Sequence, residues 1–233
     1  MRVLAIGAQP GEIELACGGT LARHTQRGDA VAIVCISNGN LSHDAIPPDE
    51  LAETRRDESK NAAKALGAEL YWLDNSDFAI EDEPVTTMKL VEIIRAFQPD
   101  ALITHSPAGD RPDHSSTHAL TLRASVYTAV PQLEGSGRYT KDAAPIFEME
   151  TLSGVGFDPA EYVDITQAID IKRAAIECHG TYLDYIKRVR GRDLVEECMV
   201  TARYRGIQCQ TAYAESFRQT RRPGRLRAER LLP

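Results

Sequence analysis

The stretch Val3-Leu4-Ala5-Ile6-Gly7-Ala8-Gln9-Pro10-Gly11-Glu12-Ile13-Glu14-Leu15-Ala16-Cys17-Gly18-Gly19-Thr20-Leu21 decides the fold. Val3 to Gly7 is apolar throughout and is closed by a Pro-Gly turn, the pattern of a short strand buried on both faces. From Ile13 to Gln26 the spacing turns helical, at Ile13, Ala16, Cys17, Thr20, Leu21 and His24, and Gly28 stops the run. A buried strand that passes through a tight turn into a helix is the first half of a βαβ unit.

The same alternation continues outward. Ala30 to Ser37 is a second buried strand, and a helix runs from about Asp49 to Leu66, ended by Gly67. Leu70 to Leu73 and Ala101 to Thr104 are strands, with a helix from Thr86 to Phe97 between them and another from Ser115 to Ala129 after them. This predicts a three-layer α/β Rossmann-like fold with a mostly parallel sheet. After Pro131 the pattern changes to apolar segments at Ile146 to Leu152 and Tyr162 to Ile165, then a helix from Ile169 to about Tyr185. No linker divides the chain, so a single domain is expected over residues 1–233. It ends in a mobile Arg-rich tail, 218–233, where six arginines face one acid, Glu229.

Composition narrows the function classes. A net charge of -7 disfavours a nonspecific nucleic-acid binder, which works by neutralising phosphates with clustered cations. The apolar runs are far shorter than the roughly 20 residues that cross a bilayer, so no membrane partner is expected. Five cysteines with no CxxC pair support neither a disulfide framework nor a cysteine zinc site. They read as thiols of a cytoplasmic protein.

A second informative stretch, Asp110-Arg111-Pro112-Asp113-His114, lies on the loop between the strand ending at Thr104 and the following helix. Both stretches stand beyond the carboxyl ends of strands, where open α/β sheets bind ligands. The segment from Val3 to His24 resembles the opening of the PIG-L/LmbE-like de-N-acetylase family. Arg55-Arg56-Asp57-Glu58 with Leu66-Gly67, Asp77, and Pro112-Asp113-His114 resemble later motifs of the same family. So do Tyr162-Val163-Asp164-Ile165-Thr166 with Lys172 and His179, and Tyr204-Arg205-Gly206 followed by Tyr213-Ala214-Glu215-Ser216-Phe217.

The resemblance implies an enzyme that uses zinc or another divalent metal to remove acyl groups from amino sugars or small glycosides, and that forms homo-oligomers. It also locates the departures. The family's first metal-binding His falls on Gln9, its general-base Asp on Gly11 and its metal-binding Asp on Glu12. Asp113 and His114 survive, but the His two residues before Asp113 is replaced by Arg111 or deleted. Glu12 and His114 are thus the remaining metal-ligand candidates, and Glu12 and Asp113 the candidates for acid or base. Arg55, Asp77 and Arg111 are the candidates for gripping substrate.

An amide oxygen at Gln9 is a poor zinc donor beside an imidazole, and Gly11 has no group to take a proton from water. Arg111 adds a fixed positive charge that favours an anion over a metal ion. Standard hydrolysis is therefore expected to be impaired. The alternative is a non-catalytic or repurposed member that binds a sugar-like or anionic small molecule, or a protein partner. His105 and His118 are spare imidazoles near the same loop, and a remodelled metal site could use Glu12, His114 and His118, which lies one helical turn past His114. Blander readings make Asp113 a helix cap, Arg55 and Glu58 an exposed helical pair, and Lys172 and His179 structural residues.

Overall fold

A computed structural model describes residues 1–81, 83–108, 111–133, 137–140 and 143–220. β1 (Arg2–Gly7) is followed by α1 (Glu12–Gln26), β2 (Ala30–Ser37), α2 (Pro48–Leu66), β3 (Glu69–Asn75) and α3 (Pro84–Phe97). Next come β4 (Ala101–His105), α4 (Pro112–Tyr127), β5 (Ile146–Met149), β6 (Glu161–Asp164), α5 (Ile169–Glu177), α6 (Gly180–Arg190), α7 (Leu194–Cys209) and β7 (Ala214–Gln219). The seven strands form one sheet in the order β3-β2-β1-β4-β5-β7-β6. Pairing is parallel from β3 to β5, and β7 runs antiparallel to both β5 and β6.

Strand alternation separates the two cores. Val3, Ala5, Val31 and Ile33 face Ile13, Cys17, Leu21, Leu66 and Ala175 of α1, α2 and α5. Leu4, Ile6, Ala32 and Val34 face Leu90, Ile94, Leu120 and Ala124 of α3 and α4. A strand buried on both faces can be apolar at every position, which is why Val3 to Gly7 reads as a continuous run. Gly19 allows a close approach: a Cβ there would stand 2.7 Å from Cδ1 of Ile165.

The C-terminal third departs from the sequence expectation in three places. The expected helix from Ile169 to Tyr185 is two helices, because the Glu58 carboxylate accepts the Thr181 N–H at 2.7 Å and starts α6 afresh after His179. α7 and β7 carry no expectation in the sequence and complete the sheet's antiparallel edge. The first residues of the expected tail are not mobile: Arg218 and Gln219 belong to β7, and Arg218 Nε donates to Glu148 at 3.0 Å. Residues 221–233 lie outside the described residues.

This topology fixes the site. β1 neighbours both β2 and β4, so the connections after β1 and β4 leave toward opposite faces of the sheet. The crevice between them is the switch point where such sheets hold ligands.

Candidate functional site

The loop after β1 is built for close turning. A Cβ at Gly7 would lie 2.7 Å from Ile13 Cγ1. Gly11 sits at φ +90°, in the left-handed region where glycine escapes the steric penalty of a side chain, and its carbonyl accepts the Leu15 N–H. Glu12 opens α1, and its carboxylate folds back to accept the Gln9 N–H at 3.0 Å. A carboxylate at this end of a helix also meets the positive end of the helix dipole.

The loop after β4 delivers the opposing groups. His114, in the first turn of α4, lies with Nε2 2.8 Å from Glu12 Oε1. His105, the last residue of β4, has Nε2 3.3 Å from Glu12 Oε2, and the same nitrogen accepts the Ala8 N–H at 3.0 Å. The two imidazoles stack at 3.9 Å with planes 8° apart. Arg111 Nη1 donates to both Gln9 Oε1 and Glu12 Oε1 at 3.1 Å, and Gln9 Nε2 donates to Asp113 Oδ2 at 3.2 Å. The Phe78 N–H donates to that same Asp113 oxygen at 3.3 Å. Glu12, His105 and His114 thus gather three buried groups of metal-ligating type, with donor atoms within 4.8 Å of one another.

The charges are tuned by these contacts. Burial alone would raise the Glu12 pKa, but His114 and His105 outweigh it and hold the carboxyl well below its usual range. Burial pushes the His105 imidazole down; Glu12 opposes that shift, while His114 and Arg111 add to it. Asp113 moves up because it is desolvated and faces Asp77 and Glu12, although the Phe78 N–H and His114 pull the other way. Glu12 is therefore an ionised acceptor, and Asp113 is the carboxyl of the pair that protonates more readily.

Sequence and structure can be compared residue by residue. Glu12, Arg111, Asp113 and His114 meet in one cluster. Asp113 does not cap α4: it lies inside the first turn, and its carboxylate reaches across to Gln9 and Phe78. His118 shares the buried face of α4 but turns Nδ1 to the His105 carbonyl at 3.0 Å, so His105 and not His118 joins Glu12 and His114. Arg55 and Glu58 are not an exposed pair. Arg55 is buried, donates to the carbonyls of Gly39 and Ser42, and lies 5.6 Å from the Tyr182 ring centroid. Asp77 is buried too and accepts from the Ser37 and Ser42 hydroxyls.

Other contributors carry weaker sequence signals. A cleft of about 200 Å³ is lined by Glu12, His105, Arg111, His114, Tyr182 and Arg192, among others. Tyr182 and Arg192 come from α6 and the turn after it, far along the chain, and Arg55 reaches the cleft only through Tyr182. Behind Gly11, where a Cβ would stand 3.3 Å from its Cγ, the buried His179 ring has no hydrogen-bond partner among the described residues on either nitrogen. Its Nε2 lies 3.4 Å from Glu14 Oε2, within ion-pair range. The only sequence signal for His105 is an imidazole at a strand's carboxyl end.

Known proteins give the same frame. The family model described as GlcNAc-PI de-N-acetylase, PIG-L, matches residues 4–125. The 4-oxalmesaconate hydratase of Pseudomonas putida is 27% identical over 75% of this chain and 71% of its own. The diacetylchitobiose deacetylase of Thermococcus kodakarensis is 24% identical over 76% of this chain and 68% of its own. Among solved structures, the 4-carboxy-2-hydroxymuconate hydratase of Pseudomonas putida superposes with a TM-score of 0.84 at 23% identity, covering 95% of this chain and 97% of that one. The N,N'-diacetylchitobiose deacetylase of Pyrococcus horikoshii gives 0.81 at 26% identity, covering 94% and 83%. Among the described residues, no helix is long and apolar enough to cross a membrane.

Proposed function

Because the chain belongs to the GlcNAc-PI de-N-acetylase family, PIG-L, we propose that it is a repurposed member: its cleft binds a small carboxylate-bearing molecule, and the family's amide hydrolysis is impaired. The observation that carries this reading is position 11. A water attacking an amide must lose a proton to a neighbouring base, a contribution typically of about 10²–10⁴-fold. Here that position is a glycine, and the His179 ring packs against its Cα where a side chain would begin.

The rest of the cleft supports a ligand. Arg111 and Arg192 line it, and a guanidinium offers paired N–H groups matched to a carboxylate. Glu12, held ionised, is an acceptor for a ligand hydroxyl or water, and Asp113, the carboxyl whose pKa burial raises, is tied to it through Gln9. Relatives of this chain include both a diacetylchitobiose deacetylase and a 4-oxalmesaconate hydratase, so the shared fold hosts more than amide cleavage.

Thermal denaturation with added ligand tests the reading, because a molecule bound only by the folded state raises the melting temperature. Citrate or cis-aconitate is expected to raise it while N-acetylglucosamine leaves it unchanged, and Arg111→Ala is expected to abolish the shift. A response to N-acetylglucosamine alone contradicts the proposal.

A further inference from the structure

The family's metal would stand among positions 9, 12 and 114, and the residues there are of partly suitable type but wrongly arranged. Glu12 Oε1 already receives His114 Nε2 at 2.8 Å and Arg111 Nη1 at 3.1 Å. The same guanidinium nitrogen is 3.1 Å from Gln9 Oε1, so one cationic group bridges two of the three ligand positions. His105, the imidazole that could replace the missing third donor, spends its Nε2 lone pair on the Ala8 N–H at 3.0 Å. Taking that lone pair for a metal would strand a buried backbone donor, which is costly.

Ring orientation adds to the mismatch. A tetrahedral ion needs lone pairs that converge on one point about 2.0–2.1 Å from each nitrogen. An imidazole lone pair lies in the ring plane, and the His105 and His114 planes are only 8° apart at 3.9 Å. Donor orbitals confined to two nearly parallel planes held apart in this way cannot meet at one point. The donors are gathered without being aimed.

We propose that Arg111 takes the place of the metal ion: its guanidinium neutralises Glu12, bridges it to Gln9, and keeps divalent cations out of the cleft. Unlike a metal ion, this cation is part of the chain, and no chelator removes it. The inference is independent of the ligand's identity. A metal-binding result can overturn it while the carboxylate reading stands, and the reverse also holds.

Zinc binding of the full chain is the test, read by metal content after dialysis against zinc and by titration against a chromophoric chelator. The wild type is expected to retain far less than one zinc per chain. Gln9→His with Arg111→Ala supplies a third imidazole and removes the cation, so it is expected to bind one zinc that His114→Ala then abolishes. Gln9→His alone, with Arg111 in place, is expected to bind at least about tenfold more weakly than the double variant, from charge repulsion at close range.

A stoichiometric zinc in the wild type, lost in His114→Ala, overturns the proposal. So does equal zinc affinity with and without Arg111 in the Gln9→His background. A double variant that folds by circular dichroism yet binds no zinc overturns it as well. If the double variant fails to fold, the comparison of wild type with His114→Ala decides alone.

Discussion

Gly11 and Lys172 show how single residues set the terms of this site. Replacing Gly11 with the family's aspartate does not simply return a base. The backbone at φ +90° strains any side chain, and the new Cβ would press within 3.3 Å of the His179 ring. Gly11→Asp is therefore expected to lower stability by about 1–3 kcal/mol in urea unfolding without restoring hydrolysis. The sequence revealed which positions had changed, because Gln9, Gly11, Glu12 and Arg111 fall inside recognisable motifs. It could not reveal that His179 stands behind Gly11, since the two are brought together only by folding.

Lys172 is buried beside Glu215, and its ammonium also donates to the carbonyls of Glu14 and Leu15. Glu215 in turn accepts the N–H groups of Gly19 and Thr20, so the pair grips α1 from both sides. Lys172→Met leaves a buried carboxylate unpaired and is expected to cost about 3–5 kcal/mol in urea unfolding. Burial alone would lower the Lys172 pKa, but Cys198 and Glu215 outweigh it and hold the ammonium above its usual range. A pKa raised on folding contributes stability that is complete below the unfolded value of about 10.4 and fades as pH rises from there through the folded one. The gap in urea midpoint between wild type and Lys172→Met is thus expected to stay constant near neutral pH and to shrink only under strongly alkaline conditions.

At the scale of elements, α1 carries Glu12 and is closely packed along its length. Gly19 lies inside it, where alanine would ordinarily add up to about 1 kcal/mol through helix propensity. A Cβ there would stand 2.7 Å from Ile165 Cδ1 and 2.9 Å from its Cβ and Cγ2, contacts on a branched side chain close to the backbone. Overpacking decides the sign, so Gly19→Ala is expected to destabilise by about 1–3 kcal/mol in thermal or urea unfolding. That Ile165, just past β6, packs on this glycine was not legible in the sequence. The elements through α4 were readable because strand and helix periodicities alternate cleanly there. β7 was not, because it pairs antiparallel between β5 and β6 and four of its six residues are polar. Their burial depends on partners such as Glu148 and Lys172, which no local pattern announces.

At the scale of the whole molecule, the order β3-β2-β1-β4 places the two loops on either side of one crevice. Fold and site location were therefore readable together from strand-end motifs. The site's composition was only half readable: His105, Tyr182 and Arg192 enter from a strand end, from α6 and from the turn after it, with no motif of their own. The central claim is that this frame persists while the family's hydrolysis is impaired. Acetate release from an N-acetylglucosamine substrate, with zinc supplied and the protein in excess of any trace contaminant, tests that claim most directly. A rate at least about 10²-fold below ordinary enzyme turnover, unchanged in Glu12→Gln, is expected. Turnover at about 1 s⁻¹ or faster, abolished by Glu12→Gln, would contradict it.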